Sequence, residues 1–186
     1  MFFEYNAEEA RWKAQLKMHS TTRSCLLVYA LLSLLSTILL WTSGGLSSIL
    51  ISAYIPYHFV INGMYECGML DAAYYPVSAR VFAGSAVFVV YLLSALIVIA
   101  LYLLCWWQSR GKPARGWMLF AAVLLVADTI DLVFTSDLFT TAGLLDLLIQ
   151  ALLLYQVYLG ERAACFLSRP PTWTKDLLPD DLRSEE

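Results

Sequence analysis

The chain has 186 residues, of which 60% are hydrophobic and 15% are charged, and its formal net charge at neutral pH is −3. A composition this apolar excludes an ordinary soluble domain, and nothing in the chain is basic enough for nucleic acid to be its partner. Four apolar runs, each near or above the length of a membrane-crossing helix, fill most of the chain. We therefore expect an all-α integral membrane protein built as a single four-helix bundle.

The segment before the first apolar run is polar and predicted to be helical. Asn6 followed by Glu9 is typical of a capping box, and Glu9, Lys13 and Lys17 stand at i, i+4 spacing, which allows ion pairs along one face. We predict that residues 1–23 form a cytoplasmic amphipathic helix, which either lies on the membrane surface or is simply solvated. Acidic residues precede the first run and no small-x-small site follows it, so this run is predicted to be a retained signal anchor.

A single transmembrane domain is predicted over residues 24–167. Its spans are expected at about residues 25–41, 81–107, 116–134 and 142–160. A fifth apolar stretch, residues 46–64, is either another span or a segment that enters and leaves the membrane on one side. Because it is short and carries Pro56 and His58, we predict a re-entrant or interfacial cap on the outer side within residues 44–79.

The positions of the basic residues favour four spans over five. With four spans and both termini in the cytoplasm, the basic residues of the N-terminal segment, of the connector 108–115 and of the tail all lie inside. Only Arg80 then lies outside. A fifth span would place one of the inner clusters on the outer face, against the positive-inside rule. Residues 168–186 are rich in proline and acidic residues, and we predict that they form a flexible cytoplasmic tail.

Polar side chains occur inside the third and fourth predicted spans. Asp128 and Asp131 share one face of a helix, and Asp146 and Gln150 share one face of the next. The short outer connector makes these helices antiparallel neighbours, so the four groups are expected to meet in two layers near the outer end. A charged side chain in hydrocarbon is disfavoured by at least about 2.5 kcal/mol and usually faces a bundle interior or a water-filled cavity.

Two interpretations of these carboxylates remain open. Three carboxylates in a low-dielectric interior require protonation or a bound cation, which indicates a proton or cation site with Arg80 and His58 as candidate counter-charges. Alternatively, the aspartates are hydrogen-bonding groups that hold neighbouring helices together. The four cysteines show no spacing typical of a metal site, and no metal or cofactor is predicted.

Motifs of known membrane enzymes are missing from the sequence. Asp128 and Asp131 stand at i, i+3, whereas membrane CDP-alcohol phosphotransferases use aspartates at i, i+4 with an upstream Asp-Gly-x-x-Ala-Arg. The Gly-x-Gly-Asp of intramembrane aspartyl proteases and the hydrolase motifs Gly-x-Ser-x-Gly and His-Glu-x-x-His are also missing. We predict that the protein is not an enzyme. A lipid-modifying enzyme that holds a metal on the same aspartates is kept as a third alternative.

Two short stretches carry a resemblance. Residues 52–57, Ser-Ala-Tyr-Ile-Pro-Tyr, and residues 128–132, Asp-Thr-Ile-Asp-Leu, together with the leucine-rich last span, resemble a group of small bacterial multi-pass membrane proteins that have no assigned function. The resemblance implies a bacterial cytoplasmic (inner) membrane and says nothing about activity. The leading hypothesis is an accessory or structural protein of the lipid bilayer that acts with a membrane-protein partner or as a homo-oligomer. The alternative is a small proton or metal-cation transporter or channel that uses the intramembrane aspartates.

Overall fold

The computed structural model describes residues 2–42, 52–69, 85–110, 115–135 and 141–168. Within these residues there are five helices and no strands, which confirms the predicted all-α class. The helices, in chain order, are α1 (Phe2–Thr42), α2 (Tyr54–Glu66), α3 (Ser85–Gln108), α4 (Arg115–Thr135) and α5 (Thr141–Leu167).

Four of these helices are long and apolar enough to cross a membrane. The candidate spans lie at Glu8–Thr42, Ala86–Gln108, Gly116–Phe134 and Gly143–Leu167. The prediction of four spans from length and composition is therefore confirmed. The remaining helix, α2, has 13 residues. At 1.5 Å per residue it extends about 20 Å, which is less than the roughly 30 Å of a hydrocarbon core.

Helix α1 joins the polar N-terminal segment to the first apolar run without a break. Its 41 residues correspond to a length of about 62 Å. The boundary predicted at residue 24 follows the change of polarity there. A change of polarity does not end a helix, and residues 2–42 contain neither proline nor glycine to interrupt it. The expected ion pair between Glu9 and Lys13 forms on this helix, with 2.6 Å between the carboxylate and the ammonium group.

The four long helices alternate in direction. Three pairs of aromatic rings join α1 to its neighbours at centroid distances of 5.3, 6.2 and 5.8 Å: Tyr29–Tyr102, Trp41–Phe88 and Trp12–Phe166. Residue numbers rise along α1 as they fall along α3, so these two helices are antiparallel. Helix α5 is likewise antiparallel to α1, which brings the first half of α1 close to the end of α5.

The interior of the bundle contains polar side chains among apolar ones, and its outer surface is apolar. A buried stripe with a spacing of three or four residues follows α1: His19, Thr22, Leu26, Tyr29, Ser33, Thr37 and Leu40. On the outer surface, large apolar side chains such as Val90, Ile97 and Phe134 are exposed. Hydroxyl groups between helices and apolar groups outside are the arrangement expected when hydrocarbon surrounds the protein.

Helix α2 packs between the end of α1 and the beginning of α3. Val60, Ile61 and Met64 of α2 form a buried apolar cluster with Leu40 of α1 and Phe88 of α3. This cluster places the second half of α2 near the end of the bundle at which α1 finishes.

The C-terminal end of α2 is fixed by its local sequence. The backbone N–H of Gly68 donates to the carbonyl of Tyr65, and that of Met69 donates to the carbonyl of Met64, both at 2.9 Å. Gly68 has a φ of 72°, a left-handed conformation that glycine adopts at little cost. These two hydrogen bonds form a Schellman motif, which satisfies carbonyls that a helix end would otherwise leave without partners.

Candidate functional site

Asp128 of α4 lies at the point where three long helices meet. It is fully buried. One carboxylate oxygen, Oδ2, accepts hydrogen bonds from the hydroxyl of Tyr29 at 2.7 Å and from Nε2 of Gln150 at 2.8 Å. The same amide nitrogen of Gln150 also contacts the Tyr29 hydroxyl oxygen at 2.7 Å. A single buried carboxylate thus joins α4 to α1 and to α5.

The second carboxylate oxygen binds the N-terminus of α2. It accepts a hydrogen bond from the backbone N–H of Ile55 at 2.8 Å, and the backbone of Tyr54 also bonds to this carboxylate. The preceding N–H, that of Ala53, donates to Oγ of Ser33 at 2.7 Å, and Pro56 has no N–H. A helix leaves its first four N–H groups without partners inside the helix. All four of these positions in α2 are accounted for.

The surroundings of Asp128 suit a buried anion. An ionised carboxylate accepts about four hydrogen bonds, and a tyrosine hydroxyl, a side-chain amide and two backbone amides supply them here. The N-terminus of a helix also carries a partial positive charge of roughly half a unit. Ala53, the N-cap residue of α2, provides no side-chain cap of its own. Asp128 therefore caps α2 from another helix, and the partial positive charge of the α2 N-terminus is favourable for its carboxylate.

A second contact joins α2 to α4 about one turn further along. Nδ1 of His58 lies 2.7 Å from Oδ2 of Asp131, and both side chains are partly exposed. The ring of Tyr54 meets the His58 imidazole edge to face, with 4.6 Å between centroids. Two aspartates of α4 that share one helix face therefore bind the same short helix at two levels.

Of the two predicted layers of polar contacts between α4 and α5, one is present, and in the other the α4 aspartate contacts α2 instead. In the deeper layer, Asp128 and Gln150 are in direct contact at 2.8 Å. In the outer layer, Asp131 pairs with His58, which the sequence analysis named as a candidate counter-charge. Asp146 is partly buried, and among the described residues its Oδ1 has no hydrogen-bond partner.

Other polar atoms near the centre are also unpaired. Oε1 of Gln150 and the hydroxyl of Tyr102 are buried without a hydrogen-bond partner in the described part of the chain. Arg80, the other candidate counter-charge, lies outside the described residues. Across the described ranges, no group of three or more His, Cys, Asp or Glu side chains is arranged to hold a metal ion.

Sequence reasoning missed the groups that donate hydrogen bonds to Asp128. Tyr29 lies four residues after the start of the predicted first span, where a tyrosine is typical of the interface, so its position did not indicate a buried hydroxyl. The amides of Tyr54 and Ile55 gave no signal either, since every residue except proline carries one.

Comparison of the chain with protein families, with curated proteins and with solved structures found no match. The geometry of the site and the arrangement of charges along the chain are therefore the basis for a functional proposal.

Proposed function

We propose that this chain is a small polytopic protein of the cytoplasmic membrane with an accessory or structural role, rather than an enzyme. It crosses the membrane four times with both termini in the cytoplasm, and α2 is a re-entrant helix that enters from the outer side. The positive-inside rule supports this orientation, because the basic residues in the first half of α1, around the connector between α3 and α4, and from the end of α5 onward then all lie in the cytoplasm. The shortness of α2 supports its re-entrant placement.

The observation that carries the structural role is the hydrogen bonding of Asp128. All four of its hydrogen bonds come from the protein itself. A carboxylate that binds and releases a transported ion needs lone pairs that face that ion, and this one has none to spare. The position of Asp128 instead explains how the N-terminus of α2 is tolerated inside the bundle. Unpaired backbone groups at membrane depth are strongly unfavourable.

The surface between α4 and α5 supports the proposal of a partner or a second copy. A groove of about 610 Å³ opens there, and small side chains, Ala122 and Ala151, contribute to its lining. Tyr155, Tyr158 and Glu161 line one side of it at three-residue spacing. Small residues allow another helix to approach closely, and polar groups on a membrane-facing surface favour a protein neighbour over lipid.

Measurements of proton and cation flux distinguish the proposed structural role from a transport function. The purified protein is reconstituted into liposomes that contain a pH-sensitive dye or a cation indicator, and a proton or cation gradient is imposed. We expect the wild-type protein to move protons and cations no faster than liposomes without protein. Flux in the wild type that Asp128→Asn removes, in a variant that still elutes as a folded species, would contradict the structural role.

The second candidate function, a proton or cation transporter, is favoured by the unpaired oxygens of Asp146 and Gln150. Both belong to α5, one turn apart, and neither oxygen has a donor among the described residues. If this candidate is correct, Asp146→Asn abolishes flux in the same liposomes while the Asp128 hydrogen bonds keep the fold intact.

A further inference from the structure

A second polar cluster lies at the end of the bundle opposite to α2, where α3 finishes. His19 and Arg23 are one turn apart on α1, and Leu26, about one turn further along, packs in one cluster with Trp106 of α3, close to Arg110. This packing brings Arg23 and Arg110 near enough for their positive charges to repel each other. The guanidinium group of Arg110 stacks over the ring of Trp106, 4.0 Å from its centroid. Tryptophan and arginine at the end of a span are typical of the membrane–water boundary.

Two buried nitrogens of this cluster have no hydrogen-bond partner among the described residues. Nε2 of His19 and Nε of Arg23 are buried without a hydrogen bond in the part of the chain that the structure describes, and His19 as a whole is only 6% exposed. Within the same residues, neither arginine forms an ion pair with an acidic side chain. Buried donors and adjacent cations are both unfavourable when left unpaired, so the arrangement is suited to an anion that satisfies both.

We propose that His19, Arg23 and Arg110 form a binding site for a phosphate group, supplied by the headgroup of an anionic phospholipid. The buried nitrogens of His19 and Arg23 form the floor of the site, and the exposed Arg110 guanidinium reaches the headgroup region. Basic pockets between transmembrane helices bind anionic headgroups in this manner, and a guanidinium group matches the geometry of a phosphate. Free phosphate shares this chemistry and is the other source to be tested. The site does not depend on the role proposed for Asp128.

Thermal unfolding of the full chain in detergent tests the site, with phosphatidylglycerol, phosphatidylcholine or inorganic phosphate added in turn. We expect phosphatidylglycerol to raise the melting temperature of the wild type in a saturable way, and phosphatidylcholine, whose headgroup has no net charge, to have little effect. Arg23→Gln and Arg110→Gln should each weaken the apparent affinity for phosphatidylglycerol roughly tenfold. Arg11→Gln, which removes one charge from the exposed part of α1, is the matched control and should bind normally.

The melting temperatures of the variants without added lipid distinguish a binding arginine from one that only stabilises the fold. Because Arg23 and Arg110 repel each other, Arg23→Gln without added lipid should melt at the same temperature as the wild type or higher. Saturable stabilisation by inorganic phosphate, lost in the same two variants, would identify a soluble phosphate as the source. The proposal is overturned if neither ligand distinguishes the wild type from Arg23→Gln and Arg110→Gln, or if Arg11→Gln loses as much affinity as they do.

Discussion

Asp128 and Asp146 are both aspartates of the bundle, but they differ in burial and in hydrogen bonding. Asp128 is fully buried and accepts hydrogen bonds from four donors, whereas Asp146 is partly exposed and its Oδ1 has no partner among the described residues. Removing a hydrogen-bonded charge leaves its donors unpaired inside the protein, while removing an unpaired carboxylate does not. The two positions therefore differ in the sign of the expected effect on stability.

Asparagine at these two positions tests that difference. We expect Asp128→Asn to lower the free energy of unfolding by about 2–4 kcal/mol, because an amide nitrogen then faces donors that the carboxylate satisfied. We expect Asp146→Asn to leave the stability unchanged or to raise it. Thermal or denaturant unfolding in detergent measures both. Equal losses in the two variants would mean that burial alone, and not the hydrogen bonds of Asp128, determines the result.

Among the elements, α2 depends most on its neighbours, since its 13 residues are marginal as an isolated helix. Its N-terminus rests on Asp128 and Ser33, and its middle packs closely against α3. A β-carbon built on Gly63 would lie 2.7 Å from Cβ of Tyr91. That distance is shorter than any normal contact, so this position requires glycine for the close approach of α2 and α3.

Alanine in place of Gly63 should therefore separate the two helices. We expect Gly63→Ala to destabilise the protein by about 1–3 kcal/mol through overpacking. Gly116→Ala is the matched control: a β-carbon there meets nothing within 4 Å, and alanine favours a helix by up to about 1 kcal/mol over glycine. The melting temperatures of both variants are compared with that of the wild type. An unchanged melting temperature for Gly63→Ala would contradict the close packing of α2 on α3.

The elements also show what a sequence can and cannot predict. The four spans were predictable because the thickness of hydrocarbon sets the length of an apolar helix. The contact of Asp128 with Gln150 was expected from helical spacing and a short connector. The binding of Asp128 to the amides of Tyr54 and Ile55 was not, because backbone groups carry no signature in the sequence. Pro56 was noted only as evidence that residues 46–64 do not cross the membrane, although proline in the first turn of a helix removes an N–H that would need a partner.

At the scale of the whole molecule, the alternating helices put the two ends of the described chain at one end of the bundle and Cys67, just after α2, near the other. Among the described residues, those that carry positive charge lie toward the end shared by the two ends of the described chain: Arg11, Lys13, Lys17, Arg23, Arg110 and Arg162. The proposed orientation therefore assigns opposite sides of the membrane to Cys67 and to Cys165, which lies in the last turns of α5.

Variants that keep a single native cysteine test this orientation. We expect a membrane-impermeant maleimide to label Cys67 on intact cells and to label Cys165 only after the membrane is permeabilised. Both side chains are partly exposed, so differences in burial do not account for a difference in labelling. Labelling of Cys165, and not of Cys67, on intact cells would show that the orientation is reversed.

Hydrogen exchange in α2 is the most direct test of the central claim, that Asp128 binds the N-terminus of this helix. Exchange of the peptide that covers residues 52–66 is followed by mass spectrometry in the wild type and in Asp128→Asn, with peptides of α3 as the internal reference. We predict that the substitution speeds exchange in α2, most strongly in its first turn, and leaves α3 protected. Unchanged exchange in α2, or an equal loss of protection in α2 and α3, would contradict the claim.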